Sequence, residues 1–169
     1  MDFHEQLMFP ALAVADRDAL LETLGTAVAG LGLATDGYAA ALKEREREFP
    51  TGLPICGGVA IPHTSADHVS GNTIAVASLA HPVTFMEMGG EEDSEVMVST
   101  VLLLVFADAS QHVPLLSKLI GRIQDAEFIR AIKDASDPAA MARVLAEAFP
   151  PRPANHLTQT NPCKEKESQ

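Results

Sequence analysis

Six histidines, two cysteines and a hydroxyl-flanked loop are the candidates for chemistry in this chain. His63 ends the run GGVAIPH, residues 57–63. Pro62 removes one backbone donor and holds Ile61 extended, so strand pairing tends to stop there and the imidazole projects from the strand's end. Gly57 and Gly58 let another backbone or a bulky partner come close, and Thr64 and Ser65 add hydroxyls beside the ring. A histidine so presented can serve packing, a metal, or nucleophilic chemistry. His112 has a comparable setting, because VLLLVFADASQHVPLL runs from an apolar strand through a short polar loop into a helix. Near a helix N-terminus, free N–H groups and the dipole favour an anion. If the two strands pair, His63 and His112 meet at their ends; on spacing alone, two unrelated loop histidines is the simpler alternative.

The other candidates point to less. His4 lies near the start and His156 in a polar tail. His63 and His68 are five apart without an HExxH pattern, so no metal site is expected. Cys56 and Cys163 have no CxxC partner, which leaves no disulfide framework and no assigned role for Cys56. No GxGxxG or GxxxxGK[ST] cradle is present, and no nucleotide cofactor is expected.

The elements that must position these residues are readable from period and punctuation. ADRDALLETLGTAVAGLG is a helix capped by Asp16 and stopped by Gly30 and Gly32. TDGYAAALKEREREFPTG is a second, capped by Thr35 or Asp36 and ended by Pro50 and Gly52. Most of its charge run, residues 43–48, is expected to be a solvated face with i,i+3 and i,i+4 pairs. Short strands are predicted at 57–61, at 72–79 and, after a turn at His81-Pro82, at VTFM. EVMVSTVLLLVFA is the longest strand candidate, and its nearly continuous apolar character predicts burial on both faces. Helices follow at VPLLSKLIGRIQ, AEFIRAIKDA and DPAAMARVLAEAF, the last capped by Asp137 with Pro138 at its first position. The expected fold is α/β: a single domain with a mixed central β-sheet flanked by helices on both faces. It spans residues 1–150, and the Pro-rich, polar residues 151–169 form a disordered tail.

Composition narrows the partners. At 169 residues the chain suits one domain with a substantial core. The net charge of −11 argues against nucleic acid and anionic membranes, and suits a partner with a basic patch. The longest apolar run, residues 96–107, is too short to span a bilayer, and the N-terminus lacks a basic signal-peptide region. A cytoplasmic location is the expectation.

TGLPICGGVAIPHT resembles the active-site segment of the fructose/mannitol-type IIA proteins of the bacterial sugar phosphotransferase system. QHVPLLSKLIGRIQD is similar to that family's second histidine segment, and LKEREREFPTG to its arginine-bearing helix. The resemblance runs over residues 11–149, and VAIPHTSADHV with PVTFMEMGG looks most like the galactitol branch. It implies that His63 is the phosphoryl acceptor and donor, and that His112 is the second active-site histidine. Arg45 is the matching arginine when TGL is aligned; Arg47 is the alternative, because PIC intervenes between Leu53 and Gly57. The implied donor is the phosphocarrier HPr, the implied acceptor a cysteine of a IIB component, and no metal or cofactor is needed. Two other readings stand beside this one: a regulatory IIA-like phosphorylation sensor, and a domain binding a metal or small ligand through His63 and His112.

Overall fold

The computed structural model describes residues 3–108 and 113–150. Five strands, β1 (Met8–Leu12), β2 (Gly52–Leu53), β3 (Val59–Ala60), β4 (Thr73–Met86) and β5 (Glu95–Val105), form one sheet in the order β1-β4-β5-β3-β2. β1 runs parallel to β4 and β3 parallel to β5, while β4–β5 and β2–β3 are antiparallel. The five helices are α1 (Arg17–Gly30), α2 (Tyr38–Glu48), α3 (Val113–Ile123), α4 (Ala126–Asp134) and α5 (Pro138–Ala148). The mixed α/β architecture is the one expected from the sequence, with helices covering the sheet. Ile74, Ala75, Val76 and Ala77 of β4 are all fully buried, as are Val101, Leu102 and Leu103 of β5. Successive strand residues point to opposite faces, so such runs are buried only where both faces are covered.

Local signals hold at most helix ends. The Asp16 carboxylate accepts from the Ala19 N–H at 2.8 Å, and Asp137 from Ala140 N–H at 2.8 Å behind Pro138. α2 departs from expectation: its N-cap is Gly37, with no side-chain cap. The Thr35 hydroxyl instead lies 3.3 Å from His68 Nδ1, and Thr35 N–H donates to the His68 carbonyl at 2.9 Å. Thr35 therefore ties the α1–α2 turn to the loop that follows His63.

The turn expected at His81-Pro82 does not form. β4 continues through it, and a register shift against β5 between Ser78 and Val83 absorbs the extra residues. A bulge tolerates a proline because the missing N–H falls where the ladder is already broken. Strands β1 and β2 were not foreseen. β1 carries Pro10 and lies at the sheet edge, where proline is tolerated, and β2 is only two residues long.

The charge run of α2 is not a uniformly solvated face. Lys43 pairs with Glu22 at 2.6 Å and Arg47 with Asp18 at 2.7 Å, both across to α1 rather than along α2. Glu46 is 1% exposed, and its carboxylate accepts from Thr51 N–H at 2.8 Å and from the Thr51 hydroxyl at 2.7 Å. Burial raises the Glu46 pKa above the ordinary glutamate value, outweighing the two Thr51 bonds and the nearby Arg17, which favour the anion.

Two predictions follow from these contacts. Gly58 has φ +88°, and a Cβ there would collide with the Met97 carbonyl of β5. Gly58→Ala is expected to lower stability by about 2–5 kcal/mol, the sum of a left-handed conformation and overpacking, as read by urea unfolding. A loss below about 1 kcal/mol would show that β3 can shift away from β5. For Glu46, the folded-state pKa is raised, so the associated stability is fully present below the ordinary value of 4.5 and lost as pH rises through the folded value. Glu46→Gln, which stays neutral, should therefore gain on the wild type as pH climbs above that range. Urea midpoints taken across a pH series measure the gap, and a constant gap contradicts the burial argument.

Candidate phosphoryl-transfer site

The site is built on the parallel pairing of β3 and β5. Val59 lies opposite Thr100 and Ala60 opposite Val101, and the contact continues past the strand as Leu104 N–H donates to the Pro62 carbonyl at 3.0 Å. Strand pairing as such ends at Ala60, two residues before the proline. His63 follows immediately, half-buried, beside the C-terminal end of β5.

The ring is held by its own strand. His63 Nδ1 lies 3.0 Å from the Ile61 carbonyl oxygen. A carbonyl only accepts, so Nδ1 carries the proton and donates. The neutral ring then has its lone pair on Nε2, the atom free to act as a nucleophile. Ile61 is itself anchored, since its N–H donates to the Thr51 carbonyl at 3.3 Å, and Thr51 is the residue held by buried Glu46. No hydrogen bond joins the Thr64 or Ser65 hydroxyl to the ring among the described residues.

The remaining candidates separate. Arg47 faces α1 through its ion pair with Asp18, which lowers the Asp18 pKa through the hydrogen bond from Arg47. Arg45, two residues away and so nearly opposite on the helix, stacks its guanidinium 3.8 Å from the Phe49 ring centroid. No ion pair holds Arg45 to a described carboxylate, and no described contact joins it to His63. His112 lies outside the described residues, as does the tail at 151–169. The chain leaves β5 toward His112 at the same end of the sheet as His63.

Cys56 sits at the opposite end of β3, with φ 48° and its thiol 3.6 Å from the Gln124 carbonyl. The close approach expected at the glycines is found at Gly58, and its partner is the β5 backbone at Met97. Sequence reasoning missed the Glu46–Thr51 pair, because Glu46 stands in a run of charged residues that reads as solvated. The signal available was its spacing, one helical turn before Pro50-Thr51.

Among the described residues, no group of three or more His, Cys, Asp or Glu is placed to hold a metal ion, and no helix is long and apolar enough to cross a membrane.

Comparison with known proteins gives the wider frame. The galactitol-specific EIIA component of the phosphotransferase system from Escherichia coli K12 is 30% identical over 122 residues, covering 72% of this chain and 80% of the relative. The mannitol-specific IIA component of Staphylococcus aureus is 26% identical over 146 residues, covering 86% of this chain and 96% of the relative. Among solved structures, the fold matches enzyme IIAMTL in the complex of IIAMTL and phosphorylated IIBMTL from Escherichia coli, with a TM-score of 0.68 at 19% identity, covering 86% of this chain and 98% of that one. Residues 2–148 match the family described as "Phosphoenolpyruvate-dependent sugar phosphotransferase system, EIIA 2". A half-buried histidine whose Nε2 has no partner among the described residues thus sits in a chain that belongs to the EIIA type 2 family, the phosphotransferase components that relay phosphoryl groups through histidine in that system.

Proposed function

We propose that His63 Nε2 is the phosphoryl acceptor and donor of this chain. The observation that carries the reading is the bond from His63 Nδ1–H to the Ile61 carbonyl, which leaves Nε2 unprotonated. On attack, an N–P bond forms at Nε2 as the donor's N–P bond breaks, and no proton has to leave the ring. The product imidazole keeps Nδ1–H and gains positive character, which the Ile61 carbonyl dipole stabilises. In the second half, the Nε2–P bond breaks as an S–P bond forms on a cysteine thiolate. Charge spreads over the equatorial phosphoryl oxygens, so positioned donors matter more than covalent chemistry. We assign these donors to His112 and to Arg45, which has no carboxylate partner among the described residues where Arg47 has one.

The donor in this reading is the phosphohistidine of the phosphocarrier HPr, and the acceptor is a IIB cysteine, in keeping with the IIB partner of the structurally similar IIAMTL. An acidic chain favours encounter with a basic partner surface. Val113 and Ile120 of α3, seven residues apart on one helix face, are both more than half exposed and supply apolar area to a protein partner. The galactitol-specific relative points to a polyol of that kind as the transported substrate.

His63→Ala should take up no acid-labile phosphate from phosphorylated HPr, and full labelling of this variant would refute the assignment. His112→Ala is expected to remain labelled but to transfer roughly 100-fold more slowly, the scale for losing one transition-state donor. A wild-type rate in that variant would remove His112 from the site. Transfer onward to the IIB component of a galactitol permease, followed by phosphorylation of galactitol, tests the substrate. Labelling without transfer to any IIB protein would favour a regulatory role.

A further inference from the structure

We propose that Glu46 and Thr51 are positioning residues that set the tautomer of His63. The inference rests on His63 Nε2 being the phosphoryl acceptor, and adds what keeps that nitrogen free. Among the described residues, the His63 ring takes its orientation from one hydrogen bond, to the Ile61 carbonyl. That carbonyl belongs to the Ile61–Pro62 peptide, which has no N–H to pin the other side of its plane. Its direction is therefore fixed by its neighbours alone. On one flank the Pro62 carbonyl accepts from Leu104 N–H at 3.0 Å. On the other, Ile61 N–H donates to the Thr51 carbonyl at 3.3 Å.

Thr51 can hold that flank only because it is held itself. It is 2% exposed and stands just outside the two-residue strand β2, whose pairing with β3 is confined to Gly52–Ala60 and Leu53–Val59. Both of its remaining donors, N–H and the hydroxyl, go to the Glu46 carboxylate, itself 1% exposed. Each carboxylate oxygen takes one Thr51 donor, so the pair is matched one to one. A buried carboxylate that spends both oxygens on one residue fixes that residue's backbone rather than binding a ligand. The path from helix to nucleophile is Glu46, Thr51, Ile61, His63, with one hydrogen bond or bond pair at each step. Arg45, adjacent to Glu46 on α2, is anchored to the same frame.

Glu46→Met removes both acceptors at similar volume, whereas Glu46→Gln keeps one acceptor for Thr51 N–H and offers a donor to its hydroxyl oxygen. Imidazole 15N NMR of the free protein reads the His63 tautomer without any phosphoryl donor. The wild type and Glu46→Gln should show pyrrole-type Nδ1 and pyridine-type Nε2, and Glu46→Met a mixture of tautomers. The kcat for transfer from phosphorylated HPr should fall roughly tenfold to a hundredfold in Glu46→Met, the usual effect of losing an outer partner of a functional histidine, with KM little changed. Glu46→Gln should stay near the wild-type rate. An unchanged tautomer in folded Glu46→Met overturns the proposal. If that variant does not fold, Thr51→Val, which removes only the hydroxyl donor, carries the same two outcomes. Absence of phosphate on wild-type His63 would instead defeat the proposed function while leaving the tautomer result standing.

Discussion

Pro62, next to His63, takes one hydrogen-bond donor out of the backbone, and the local structure is arranged around that loss. The Ile61–Pro62 peptide offers a carbonyl but no N–H, and that carbonyl accepts the hydrogen bond from His63 Nδ1–H. A peptide with both groups can be pinned from two sides of a sheet. This one is pinned only through the residues before and after it, by Thr51 and Leu104. The edge hairpin β2–β3, the long strand β5 and the end of α2 therefore all bear on a single ring orientation. Pro62, two residues beyond the last paired residue of β3, hands control of the histidine to elements outside its own strand.

Charge is distributed to match. α2 carries four ionic residues with distinct tasks within six positions. Lys43 and Arg47 tie the helix to α1 through Glu22 and Asp18. Such exposed pairs add little stability, about 0–1 kcal/mol each, and they agree with the rotation about the helix axis that buries Tyr38, Ala39 and Leu42. That rotation turns Glu46 inward to Thr51 and leaves Arg45 on the far side from α1. In a chain with a net charge of −11, an arginine without a carboxylate partner among the described residues is the kind of group a phosphoryl dianion seeks.

Much of this was legible in the sequence, and for physical reasons. The helices with a side-chain N-cap, α1, α4 and α5, came out close to where the spacing placed them, and the apolar run of β5 correctly read as two-sided burial. What the sequence hid were features decided by long-range contacts. β2 exists only because β3 pairs with it, and β4 passes His81-Pro82 because β5 supports it on both sides of the bulge. At the site, His63 and its setting after Pro62 were readable, since proline acts locally. The buried role of Glu46 was not, because burial of a charge depends on what packs above it. Thr35 likewise looked like a helix cap and instead meets His68.

The parallel pairing of β3 with β5 has a consequence for how the protein comes to be. Parallel strands cannot close through a tight turn, and here the whole of β4 lies between the two partners in the chain. Such contacts form late, after the entropy of closing a long loop has been met. The anchor at Leu104 that aims His63 is among them. A partly folded or still-emerging chain would already contain the histidine, yet would lack the fixed carbonyl that frees its outer nitrogen. With His63 in its proposed role, competence to carry a phosphoryl group would thus arrive only with the completed sheet.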